Sequence, residues 1–113
     1  MTYQEINHMV GDVAAAIGGR HTYYQFPVGQ APTPPYAIFY IPGDDPVYAD
    51  GKNYKKIETL IIELYLPNKD FHAEQLAEAV MAKHGMSWAR YESYIDDEQM
   101  YQERYEMEVM LDG

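Results

Sequence analysis

PPYAIFYIPGDDPVYADGKNYKKIETLIIELYLP, residues 34–67, is the stretch that decides how this chain folds. Behind a double proline, residues 36–41 alternate as a strand does, with Ala37, Phe39 and Ile41 on one face and Tyr36, Ile38 and Tyr40 on the other. Both faces are apolar or aromatic, which predicts a strand that is central or covered on both sides. The chain then breaks into an acidic segment punctuated by proline and glycine, turns at Asp50-Gly51, and returns as a β run from about Tyr54 to Leu66. That run is longer than the common strand of roughly 5–6 residues. Leu60, Ile62, Leu64 and Leu66 line its inner face, and Thr59, Ile61, Glu63 and Tyr65 the other. Ile57 is out of step with the inner face, which predicts a bulge near Glu58. A long strand beside a polar, projecting hairpin suits a protein that reaches a neighbour.

Working outward, residues 2–17 read as a helix. Thr2 and Glu5 form a capping box, and Ile6, Met9, Val10, Val13, Ala14 and Ile17 fall on one face, before Gly18-Gly19 ends it. Residues 21–26 are a short strand, and 27–35 a loop rich in proline. Asn68 or Asp70 caps a second helix over 71–84, with Phe71, Leu76, Ala79, Val80 and the stem of Lys83 as its core stripe. Residues 88–95 and 101–111 are two more strands, joined by Asp96-Asp97-Glu98-Gln99. Tyr101, Tyr105, Met107, Val109 and Leu111 face inward, and Gln102, Arg104, Glu106 and Glu108 face water. The expected architecture is a single α+β domain over residues 1–113: an antiparallel β-sheet, two α-helices packed on one face, and a projecting β-hairpin or loop.

The chain has 113 residues, enough to bury a core, and 47% of them are hydrophobic. No apolar run approaches the length of a membrane span, so no membrane partner is expected, and the polar opening MTYQEINHM is not a signal peptide. The absence of cysteine removes disulfides, thiol nucleophiles and thiolate metal sites, and fits a reducing compartment. Eighteen acidic residues against 8 basic give a net charge of −10. That balance argues against phosphate-backbone binding, which needs clustered lysine and arginine. It suits solubility, or a surface that stays near nucleic acid without sticking. The 12 tyrosines supply apolar bodies with polar tips, a type enriched at protein interfaces as well as in strands.

No constellation points to chemistry. His72 and His84 sit on one predicted helix, three turns and about 120° apart, and His8 and His21 lie in other elements, so no metal is expected. Placing Asp50-Gly51 at the middle of a calcium loop puts Pro46, Tyr48 and Ile57 where oxygen ligands belong, and the motif fails. Ser87 and Ser93, the two serines, lack a nucleophile-elbow context, and the glycines do not precede a helix as a phosphate loop would require. Carboxylate pairs such as Glu63 with Glu106 carry no specificity. The expectation is no enzyme, no catalytic residue and no cofactor. What remains is surface, and contact residues are expected in and beside the acidic segment: Asp44, Asp45, Tyr48, Asp50, Lys52 and Tyr54.

Certain phrases carry a resemblance: Pro34 to Tyr40, the acidic Gly43-Asp44-Asp45, the turn Ala49-Asp50-Gly51-Lys52-Asn53-Tyr54, the long strand ending in Tyr65, and the run containing Tyr94-Ile95, Asp97 to Tyr101 and Tyr105-Glu106-Met107. Together they resemble the small tail-completion, or tail-terminator, proteins of long-tailed, siphovirus-like bacteriophages and prophages. The resemblance implies a structural virion protein that terminates the tail tube at its head-proximal end and joins tail to head, as a ring, commonly a hexamer. Its partners would be itself, the tail-tube protein and the head-tail connector, with DNA passing through the lumen without specific binding. Its place would be the virion, and the host cytoplasm during assembly. A head-closure or neck subunit is the neighbouring alternative. An acidic DNA-mimic inhibitor is the alternative from another class, although Lys52, Lys55 and Lys56 interrupt the mimicry.

Overall fold

A computed structural model describes residues 1–43 and 56–112. Most of the expected projecting hairpin, and all six expected contact residues from Asp44 to Tyr54, lie outside the described residues. The element order is α1 (Tyr3–Ala16), β1 (Arg20–Tyr23), β2 (Tyr36–Tyr40), β3 (Lys56–Leu66), α2 (Phe71–Lys83), β4 (Ala89–Ile95) and β5 (Met100–Leu111). The strands make one five-stranded sheet in the order β1-β2-β3-β5-β4. Both helices bury their apolar side chains in one core with a single face of it. No described helix is long and apolar enough to cross a membrane.

α1 forms as its sequence dictates. Thr2 Oγ1 accepts from the Glu5 N–H, and the Glu5 carboxylate accepts from the Thr2 N–H, which satisfies two free donors at the helix start. Ile6, Met9, Val10, Val13 and Ala14 are buried, and Gly18 takes the left-handed conformation (φ 79°) that lets the chain leave.

The α+β architecture is the expected one, and the sheet is mostly antiparallel, with one parallel pair at its edge. β1 runs parallel to β2, pairing Arg20 with Tyr36 through Tyr23 with Phe39. A parallel pair needs a connection of about a dozen residues, and residues 24–35, stiffened by prolines, supply it without a helix. The start of β1 presses on this loop. A Cβ built on Gly19 would lie 2.3 Å from the Pro35 carbonyl oxygen, so only glycine fits there.

β3 carries the sheet's centre. It pairs with β2 from Tyr40↔Ile61 to Tyr36↔Tyr65, and with β5 without a break from Lys56↔Leu111 to Leu66↔Tyr101. The unbroken register removes the expected bulge at Glu58. Ile57 simply faces away from the helices, 53% exposed, and Glu58 turns inward.

α2 presents a different stripe from the one its large apolar residues suggest. Phe71, Leu76, Ala79 and Lys83 are exposed, while Ala73, Glu74, Ala77 and Met81 are buried and Val80 is half-buried. Asp70 fixes the phase of the helix by accepting from the Ala73 N–H. The alanines let the helix approach its neighbours closely, and Glu74 is drawn in by charge.

That charge belongs to a network beneath the start of α2. Lys69 Nζ donates to Glu74 (2.7 Å) and to Glu92, and lies 3.4 Å from Glu103. Arg90 Nη1 donates to Glu103 (2.8 Å) and lies 3.1 Å from Glu74. Glu103 is fully buried beside Tyr105, whose hydroxyl donates to Glu78. Burial pushes the Glu103 carboxyl up to about 7, with help from the neighbouring Glu92 and Glu74 and against the pull of Arg90 and Lys69. A raised acid favours the folded state when protonated. Its contribution is therefore complete below the unfolded value near 4.5 and disappears as pH rises through 7. Glu103→Gln should remove this dependence. Between pH 5 and pH 8 the wild type should lose about 2 kcal/mol relative to the variant, read by urea unfolding at both pH values.

Candidate interaction surface

The helices cover one face of the sheet and leave the other open. Alternation assigns Arg20 and Thr22 of β1, Tyr36, Ile38 and Tyr40 of β2, Ile57, Thr59, Ile61, Glu63 and Tyr65 of β3, and the even-numbered residues of β5 to this open face. At its centre is Glu63, 7% exposed. The Tyr40 and Tyr65 hydroxyls each donate to its carboxylate at 2.7 Å, and Gln102 Nε2 donates to the Tyr65 hydroxyl at 2.9 Å. Burial and the hydrogen bond to Glu63 push the Tyr40 phenol up to about 12, and the same two causes, in that order, raise Tyr65. Both phenols therefore stay neutral donors at any ordinary pH.

Aromatic packing extends this centre toward β1. Tyr36 stacks on Tyr65 at 4.8 Å, Phe26 meets Tyr36 edge-on at 5.5 Å, and Arg20 sits 5.5 Å over the Phe26 ring. Tyr24 meets Tyr40 edge-on. On the β4 side, Arg104 lies 5.0 Å over the Tyr91 ring and pairs with Glu106 at 3.2 Å. The Arg104 Nε is buried and has no hydrogen-bond partner among the described residues. Tyr24, Ile57, Tyr91 and Met110 are each about half exposed or more. Hydrogen bonds and ring stacking hold many of these aromatics in single positions. A surface of pre-ordered aromatics with charged edges can bind a protein partner at little entropic cost.

The tyrosine count was visible in the sequence, and strand alternation placed Tyr36, Tyr40 and Tyr65 on one side. Their convergence on Glu63 was not visible, because it depends on the register between β2, β3 and β5. Three of the four histidines are side-chain partners. His21 bonds Asn7 Oδ1, and His8 and His84 both approach the Asp12 carboxylate, at 3.5 and 3.9 Å. Glu74, Glu92 and Glu103 bring carboxylate oxygens within 4.8 Å of one another, as cation ligands do. Lys69 and Arg90 occupy those same oxygens, so the cluster is an internal charge network.

No family model matches this sequence, and no curated protein does. Among solved structures, the fold is similar to that of a chain in the "Virion of native gene transfer agent (GTA) particle". The two share 14% sequence identity with a TM-score of 0.61, and the match covers 99% of this chain and 96% of that one. At this identity the likeness is one of fold, carried end to end.

Proposed function

We propose that this chain is a structural subunit of a phage-like particle, which closes the tail tube at its head-proximal end as a ring of identical copies. The observation that carries the reading is the end-to-end likeness in fold to a chain of a gene transfer agent virion. The sequence phrases quoted above point the same way independently. The role is architectural: a hexameric ring whose partners are its own copies, the tail-tube protein and the head-tail connector, located in the virion. Asp44, Asp45, Tyr48, Asp50, Lys52 and Tyr54 are the residues proposed to reach those partners.

The physical chemistry supports such a role. Closed rings need two different patches on each subunit. This sheet offers an open aromatic face and two unlike edges, the short β1 and the longer, solvent-exposed β4. A net charge of −10 lets DNA pass nearby without binding. Loss of the gene should give tails of irregular, extended length that fail to join filled heads, seen by electron microscopy of lysates. Tails of normal length without heads would favour a neck subunit, and normal joined particles would defeat the reading.

A further inference from the structure

The outer strands β1 and β4 both leave backbone groups unpaired, and neighbouring bonds show which ones. The Met1 ammonium donates to the Met110 carbonyl at 2.6 Å, and the Asp112 N–H donates to the Met1 carbonyl at 2.9 Å, on the side of β5 away from β3. Even-numbered residues of β5 therefore turn their backbone groups toward β4, where the odd-numbered residues meet them. Arg90, Glu92 and Tyr94 are left with N–H and C=O groups that point out of the sheet, without backbone partners among the described residues. At the other edge the Tyr24 N–H donates to the Phe39 carbonyl at 2.8 Å, so the even-numbered residues of β1 face β2, and His21 and Tyr23 face out. The Tyr23 carbonyl accepts from the Gln25 N–H, while the Tyr23 N–H and both groups of His21 have no backbone partner among the described residues. β4 lacks the usual guards of an edge: it has no proline and no lysine, and its register with β5 is unbroken. Its charged side chains, Arg90 and Glu92, are tied to Glu103 and Lys69 and do not shield the edge.

We infer that β4 of one copy pairs with β1 of a second copy, so that the sheet runs on from subunit to subunit. The inference rests on the ring reading above and names the contact that builds the ring. Direction favours it. Along the order β1-β2-β3-β5-β4, the single parallel pair leaves β1 and β4 running in opposite directions, so two copies laid edge to edge pair antiparallel. Register favours it as well. Reading across the sheet, Arg20 stands level with Tyr36, Tyr65, Gln102 and Ser93, and Tyr23 with Phe39, Ile62, Tyr105 and Arg90. Carried into the next copy at the same level, His21 meets Glu92 and Tyr23 meets Arg90, which are the residues whose backbone groups point outward on both edges. Faces agree too: Arg20 and Thr22 continue the open face beside Ser93 and Tyr91. Charge then selects a second copy. Arg20 is exposed and has no carboxylate partner among the described residues, and in this register it falls at the end of β4 that leads into the exposed Asp96, Asp97 and Glu98. Donor and acceptor are different patches, so the contact is head-to-tail and can close a ring.

Because the chain has no cysteine, disulfide trapping reads this contact cleanly. Full-length Arg20→Cys protein is mixed with Ser93→Cys protein under mild oxidation, and in parallel with Tyr91→Cys protein, which is out of register by two residues. The matched mixture should form mixed disulfide dimers about tenfold faster than the offset mixture or than either variant alone. A chain carrying both Arg20→Cys and Ser93→Cys should give a ladder of covalent oligomers that ends at the ring. Its two cysteines cannot join within one chain, because four strand spacings hold them about 19 Å apart. His21→Pro removes an outward N–H and no bond of the subunit's own ladder. It should weaken self-association in sedimentation about tenfold, with thermal unfolding confirming that the variant is folded. Ser93→Cys protein that crosslinks alone as fast as the matched mixture would overturn the contact, since β4 would then pair with β4. Wild-type oligomers with no faster trapping of the matched pair would overturn it too, and leave the ring reading standing. A monomer without accelerated trapping would equally overturn the contact, and the ring reading falls with it if loss of the gene leaves normal joined particles.

Discussion

Replacing Lys69 with methionine should cost about 3 kcal/mol at pH 8, and clearly less at pH 5. The Lys69 ammonium is the hub of three carboxylates, two of them buried: Glu74, Glu92 and Glu103. Burial opposes its charge, but hydrogen bonds to Glu74 and Glu92 outweigh that, and its pKa is held above the ordinary lysine value. The hydrogen-bonded Glu103 and then Lys69 hold the Glu92 carboxyl below its usual range. Without Lys69, Arg90 alone would have to offset all three acids. At pH 8 one carboxylate would remain buried and poorly paired, which is among the few single changes that cost several kcal/mol. At pH 5 a proton on Glu103, which already titrates near 7, replaces the missing cation. Urea unfolding of both proteins at the two pH values measures this. A loss that does not vary with pH would mean that Lys69 acts other than through the Glu103 charge network, as through its ammonium 4.5 Å over the centre of the Phe71 ring.

Exchanging residues 44–55 for a glycine-serine sequence of equal length should leave thermal unfolding within about 0.5 kcal/mol of wild type and abolish assembly. The last pair between β2 and β3 is Tyr40 with Ile61, while β3 extends on to Lys56, so the connection must bridge about 17 Å. A flexible linker of that length spans such a distance easily. Assembly should fail because the exchange removes Asp44, Asp45, Tyr48, Asp50, Lys52 and Tyr54 together. Sedimentation, and rescue of particle formation by the variant gene, give the two readouts. A variant that unfolds would show that the segment belongs to the core, and one that assembles normally would remove it from the interface.

Much of the fold was legible because its strongest signals are periodic. The 3.6-residue stripe of α1 and the two-residue alternation of β3 and β5 each bury the face their patterns indicate. The path of a connection is not periodic, so the parallel pairing of β1 escaped notice. In α2 the large apolar residues misled. Size marks a core position only where space exists, and here close approach favours Ala73 and Ala77. Glu103 could have been found, since it shares the inward face of Tyr101 and Tyr105, but an acid on that face reads as noise until Lys69 and Arg90 arrive beside it. Of the interaction surface, the composition was legible and the arrangement was not: a tyrosine count does not show which phenols meet one carboxylate. The contact residues expected from 44–54 fall outside the described residues, whereas the arrangement of the open sheet face emerged only from register.

The unbroken ladder between β3 and β5, from Lys56↔Leu111 to Leu66↔Tyr101, also has a mechanical consequence. Two long antiparallel strands at the centre of a sheet resist differently according to the direction of pull. Tension along the strands loads every rung at once, in shear, whereas tension across one end peels them singly. A subunit gripped at residues 44–55 and at the end of β5 would be pulled at one end of the ladder and peel open. Gripped at opposite ends of β3 and β5, it would behave as a rivet. Single-molecule pulling from the two geometries should give clearly different rupture forces, and the stronger axis marks the direction along which this sheet is suited to bear load.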